Sequence, residues 1–290
     1  MKLILKIVIG LALVFAVAAS VAAYIAHGLL LRNAREEVLE NARIMMEAAL
    51  AVRSYTNTQI KPLLETQLKY QFLPQSVPAF SASEYFNNLR KTYPDYSYKE
   101  ATLNPTNPRN RAVEWEADIV NRFRNTPTLG ELVGERDTQY GRSLYMARPI
   151  QVKSAACLVC HSSVAIAPKT MIDLYGTANG FGWQMNDIVG AQVVSVPMEV
   201  PVKRAHDTFQ AFLLLIAGLF AFLFVVLYAL LHFLVVRPIR RLAAIADRVS
   251  MGDLDAPEFD VTGKDELLTL AQSFGRMRKS LVHAMKMLEG

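Results

Sequence analysis

Both cysteines of this 290-residue chain fall in one stretch, Cys157-Leu158-Val159-Cys160-His161. Two thiols two residues apart, followed at once by an imidazole, suit one chemistry above others. The thiols can add across the two vinyl groups of a haem, and the adjacent imidazole is then delivered to the iron. Three other uses compete. A disulfide would close a tight, reducible ring. A thioredoxin-like pair should open a helix in a βαβ unit, whereas this motif reads as a Ser/Ala loop after a strand. A zinc site would want four ligands, and no second Cys/His pair exists. One covalent haem c is therefore expected, with Cys157 and Cys160 as thioethers and His161 as proximal ligand.

The opposite axial position is harder to read. Beyond the first apolar run, and ahead of the second, the histidines are His161 and His206. A thioether is the next donor to consider, and the candidates are Met45, Met46, Met146, Met171, Met185 and Met198. Met45 and Met46 rank first because adjacent positions on a long helix send at least one side chain inward. Core filling is the competing role, as is an open sixth position. Haem propionates favour guanidinium partners, and Arg53, Arg142 and Arg148 are candidates by position, against an ordinary surface role.

The elements that must position these groups begin with the membrane. Hydrophobic residues make up 52% of the chain, and the excess sits in two uncharged runs, Ile7 to Leu31 and Ala211 to Val236. Each exceeds the roughly 20 residues that cross a hydrocarbon core. The first is read as an uncleaved anchor, since it outlasts a signal-peptide core. Lys2 and Lys6 flank one end of this pair, and Arg237, Arg240 and Arg241 the other, so both termini are expected on the cytoplasmic side. The divisions are then 1–6 cytoplasmic, 7–31 first span, 32–207 periplasmic domain, 208–236 second span and 237–290 cytoplasmic tail, in a bacterial inner membrane. The net charge of +5 forms no basic stripe with interleaved aromatics, so nucleic acid is not expected as a partner.

Arg32 to about Leu68 is predicted as one helix, rich in Ala, Glu, Leu and Met. Residues 72 to 110, with Pro74, Pro78, Pro94, Pro105 and Pro108, read as irregular apart from a strand over Tyr96 to Leu103. A helix over Ala112 to Phe123 follows, then strands Glu131 to Asp137 and Ser143 to Val152 around a Tyr140-Gly141 turn. A short helix over Thr170 to Tyr175 stops at Gly176. Ile188 to Met198, centred on Val193-Val194-Ser195-Val196, is the clearest strand and leads into the second span. The fold class is α+β, a PAS-like extracytoplasmic domain between two transmembrane helices.

In the tail, Pro238 opens a helix with apolar residues at Ile239, Leu242, Ala246 and Val249. After a break at Met251-Gly252-Asp253-Leu254 and a connector through Gly263, Asp265-Glu266 opens a second. Its Leu267, Leu270, Phe274, Met277, Leu281, Ala284 and Leu288 recur at three-four spacing, the seam of a left-handed coiled coil. A lone helix cannot bury such a seam, which points to a parallel homodimer. The stretch resembles a HAMP domain, which implies an all-α four-helix dimer bundle relaying motion from the membrane.

Residues 33 to 200 resemble the Tll0287-like family of c-type-haem sensor domains, formerly catalogued as a domain of unknown function. The resemblance rests on Ala42-Arg43-Ile44-Met45-Met46-Glu47 through Ile60-Lys61-Pro62-Leu63-Leu64, on Cys157 to His161, and on Ile188-Val189-Gly190-Ala191. It implies a PAS fold in which some members use a first-helix cysteine as second axial ligand. This chain has no third cysteine, which favours Met or an open position.

The expected function is that of a membrane signal-transduction sensor. Its haem would report redox state or a diatomic gas, through HAMP, to a cytoplasmic kinase, cyclase or other output protein, since no such domain follows in this chain. A membrane-anchored electron-transfer cytochrome is the alternative, and HAMP argues against it. A third reading is a small-molecule sensor with structural haem. No nucleophile, acid–base pair or phosphate loop in suitable context marks an enzyme.

Overall fold

A computed structural model describes residues 3–139, 141–253, 256–257 and 266–288. The chain divides into two compact units, His27–Phe209 and a second made of Met1–Ala26 with Gln210–Gly290.

In the first unit a four-stranded antiparallel sheet has the order β1-β4-β3-β2, formed by β1 (Ser97–Thr102), β2 (Leu132–Thr138), β3 (Gly141–Gln151) and β4 (Ile188–Pro197). β4 lies between β1 and β3 and is buried along its whole length. That explains its continuous apolar reading: a strand covered on both faces has no solvent side to alternate with. The β2–β3 hairpin pairs Thr138 with Gly141, and Gly141 takes φ +91°, a left-handed turn conformation that glycine adopts without strain. Tyr140 of the expected turn lies outside the described residues.

Helices cover both faces. Helix α1 (Leu3–Tyr55) brings Val38, Ala42, Met45, Met46 and Ala49 against Leu144, Met146, Val194 and Val196. Helix α2 (Pro78–Leu89) adds Ala82 and Phe86 to that core. On the other face, α3 (Glu114–Asn125) packs Ile119, Val120 and Phe123 on Ala101, Ala147, Ala191 and Val193. This is the expected α+β layering, with two corrections. The stretch read as irregular contains α2: Pro78 sits in the first turn, where its missing N–H costs nothing. The long first helix also ends earlier than Leu68. After Tyr55 it widens into a π-helical turn over Thr56–Ile60, where Lys61 N–H reaches Thr56 O, and then breaks into short turns around Pro62. Thr56 and Thr58 hydroxyls donate back to the carbonyls of Val52 and Ser54, which loosens the ladder ahead of the proline.

The second unit contains the apolar stretches of α1 and of α6 (Glu199–Leu230), helices long and apolar enough to cross a membrane by length and composition. There Phe15 stacks on Phe220 at 5.3 Å between ring centroids. Helix α7 (Arg237–Ser250) buries Leu242 and Val249 and has Pro238 in its first turn. Gly252 takes φ +97°, and Arg248 clamps Asp253 through Nε and Nη2 at 2.9 and 2.6 Å. Helix α8 (Glu266–Leu288) carries the seam. Leu254, Gly263 and Asp265 lie outside the described residues, as does the side chain of Leu288.

Candidate functional site

The cysteine motif is not in a loop. It forms α4 (Ala155–His161), capped by Ser154, whose Oγ accepts from Ala156 N–H at 3.2 Å. This removes one argument raised against a thioredoxin-like pair, since the motif does occupy a helix. It also gives the spacing a geometric meaning. Residues three apart share a helix face, so Cys157 and Cys160 present their sulfurs on one side. Both are free and half-buried. Burial pushes the Cys160 thiol up, with Lys61 only partly opposing it.

His161 ends the helix, and its ring is held on three sides. Nδ1 is 2.7 Å from Gly180 O, and because a carbonyl only accepts, Nδ1 carries the proton. Nε2 therefore keeps its lone pair, the state a metal-bound histidine requires. Trp183 stacks on the imidazole at 3.9 Å between centroids and 15° between planes. Thr106 Oγ1 lies 3.5 Å from Nδ1. Burial pushes the His161 pKa below its ordinary value, partly countered by the Gly180 hydrogen bond, so the ring is neutral at neutral pH.

The segment that holds this ring, residues 176–187, follows α5 (Lys169–Tyr175) and is tied back to the motif by Trp183 N–H to His161 O and Gly182 N–H to Ser162 O, both 3.1 Å. Its glycines are functional in conformation. Gly180 takes φ +88°, and a Cβ there would sit 2.0 Å from Thr106 Oγ1. Gly180, Trp183 and Thr106 escaped sequence reading because their roles come from tertiary contacts, with no spacing rule to mark them. The single hint was one of two tryptophans in a glycine-rich stretch.

The candidate arginines separate clearly. Arg53 lies near Cys157. It grips both oxygens of Glu100, which also accepts from Tyr98 OH at 2.8 Å. Gln192 Nε2 in turn donates to Tyr98 OH at 3.0 Å. Burial and the Glu100 carboxylate push the Tyr98 phenol far above its usual range. Arg148 pairs with Glu47 and Glu131 at 2.7 and 3.1 Å, and Arg142 with Glu135 at 2.7 Å. Met45 and Met46 sit in the apolar core between α1 and the sheet, with Phe86, Tyr98, Leu144 and Met146. No residue of the cysteine motif belongs to that cluster. Among the described residues, no three His, Cys, Asp or Glu side chains converge to hold an ion by themselves.

Residues 31–197 match the model of the Tll0287-like family, and residues 230–283 match that of the HAMP domain. The crystal structure of the cyanobacterial heme-protein Tll0287 is 18% identical, over 56% of this chain and 95% of its own, with a TM-score of 0.44. No curated protein matches the chain.

Proposed function

The chain belongs to the Tll0287-like family, and from that premise we propose a membrane sensor that carries one covalent haem c in its outer domain and signals through HAMP. A Tll0287-like domain joined to HAMP, with two helices apolar enough to cross a membrane, is the layout of a sensor and transducer. The finer reading rests on one observation: His161 is half-buried, protonated at Nδ1 by its bond to Gly180 O, and free at Nε2. The donor set fits the group. Cys157 and Cys160 share a helix face for two thioethers, His161 supplies the proximal nitrogen, and Val159 and Ile166 offer uncovered apolar surface beside them. Arg53 is the propionate partner we favour because, although it pairs with Glu100 as Arg142 and Arg148 pair with their own carboxylates, it also lies near Cys157. Met45 and Met46 serve the core, and an axial role for either would require that core to open.

When bound, the haem supplies an iron whose ligation responds to electrons or to a diatomic gas. The protein holds the imidazole neutral and oriented, and it places the segment after the motif in direct continuity with β4, which is followed by α6. A shift of β4 would bias two states of the HAMP helices in a homodimer, for a cytoplasmic output partner to read. Residues 32–207 would face the periplasm of a bacterial inner membrane, with both termini cytoplasmic.

Disulfide cross-linking tests the signalling claim. Leu270→Cys on α8 in the membrane-embedded full chain should cross-link at different rates in oxidised and reduced protein, or with and without carbon monoxide. Equal rates in all states would leave a membrane-anchored electron carrier or a structural haem.

A further inference from the structure

We propose that Trp183 is a positioning residue for His161: stacked on the imidazole, it fixes the ring plane and so sets how the ligand meets the iron. The inference rests on the haem reading above and concerns the protein side of that bond.

A histidine bound to a metal through Nε2 has one rotational freedom left, spin about its own axis. A hydrogen bond from Nδ1 restrains this only weakly, because carbonyl acceptors tolerate a broad range of directions. Here the Gly180 carbonyl sets the tautomer, and a second element sets the plane. The Trp183 ring lies 15° from parallel at 3.9 Å, a face-on contact that a rotating imidazole would have to break. The indole is itself held by its backbone, since Trp183 N–H donates to His161 O. Stack and hydrogen bond thus come from one short segment.

That segment is anchored at its C-terminal end and wedged at its middle. Val152 N–H donates to Asp187 O and Asn186 N–H to Val152 O, both 2.9 Å, which fastens it to the end of β3 just before β4 begins. Thr106 fits against Gly180 too closely for any side chain there. Trp183 also lines a cavity of about 200 Å³ with Asn104, Arg124, Phe181, Asp187 and Val189.

The test uses the full chain, matured with haem in membranes, as Trp183→Phe and Trp183→Leu. The leucine variant should keep covalent haem on a denaturing gel, yet show shifted ferric electron paramagnetic resonance g-values and a shifted midpoint potential. The phenylalanine variant, which preserves an aromatic face, should restore both toward wild type. Unchanged g-values and potential in Trp183→Leu would overturn the proposal while leaving the haem reading intact. Wild type without covalent haem would overturn both. Should the leucine variant not accumulate, Trp183→Met, which removes the aromatic face but keeps more bulk, must shift the same two signals, or the proposal fails.

Discussion

Charge removal at Glu100 should destabilise the sensor unit more than any surface substitution. The side chain retains 4% of its exposure and its partner Arg53 retains 27%, so the pair is largely withdrawn from water. Breaking a buried pair by neutralising one member costs about 3–5 kcal/mol, because the other charge stays behind unpaired. Arg53 keeps some solvent, which places Glu100→Gln near the lower end, about 3 kcal/mol. For a domain of this size, each kcal/mol moves the melting temperature by about 2–4 °C, so a drop of about 6–12 °C is expected. The amide keeps the volume and the acceptor for Tyr98 OH, which isolates charge from packing. Replacing both partners, as Arg53→Met with Glu100→Leu, should recover most of the loss, since apolar pairs of similar volume often match buried ion pairs. The assay is thermal unfolding by circular dichroism of the full chain in detergent at fixed scan rate. A drop below 2 °C in Glu100→Gln, or a double variant melting as low as the single, would refute the reasoning.

Further outcomes follow from the same contacts. Gly190→Ala should cost about 3 kcal/mol by overpacking, because its Cβ would lie 2.4 Å from the Ala101 carbonyl oxygen. Gly134→Ala, whose nearest neighbours are atoms of the movable Tyr145 ring, should cost less, and denaturant midpoints will rank them. In the haem-free Cys157→Ala/Cys160→Ala protein, burial holds the folded His161 pKa below 6.5, so the unfolded chain binds the proton first as pH falls. Stability should be full above about 6.5 and decline below it, and His161→Gln should remove that decline in melts across pH. Met45→Leu with Met46→Leu, a volume-conserving change, should leave the reduced haem spectrum unaltered; an altered one would make either an axial ligand. On α8, Met277 and Leu281 are 60% and 44% exposed in a single chain, and Met277→Glu/Leu281→Glu should abolish chemically cross-linked dimers of the full chain.

Much of the architecture was legible because it is written in local periodicity. All four strands were anticipated within a few residues, since alternation and β-branched runs report a sheet directly. Helix α3 was legible for the same reason. Helix α2 was not, because prolines and tyrosines around it outweighed the single turn-opening role of Pro78. The placement of the cysteine motif in a loop missed Ser154, an N-cap signal that was available in the sequence. The chemistry of the site split along similar lines. Cys157, Cys160 and His161 announce themselves by spacing alone. Gly180 and Trp183, which set the tautomer and plane of His161, do so only through contacts about twenty residues along the chain. Arg53, Arg142 and Arg148 were equal candidates by position, and each pairs with a carboxylate; nearness to Cys157 is the one contact that favours Arg53.

The central claim is that this helix carries haem covalently. Mass spectrometry of the intact chain, co-expressed with c-type maturation proteins beside a control cytochrome, tests it most directly. The account predicts that wild type is heavier by one haem and that Cys157→Ala/Cys160→Ala has its bare polypeptide mass. An unmodified wild type beside a fully matured control would contradict it.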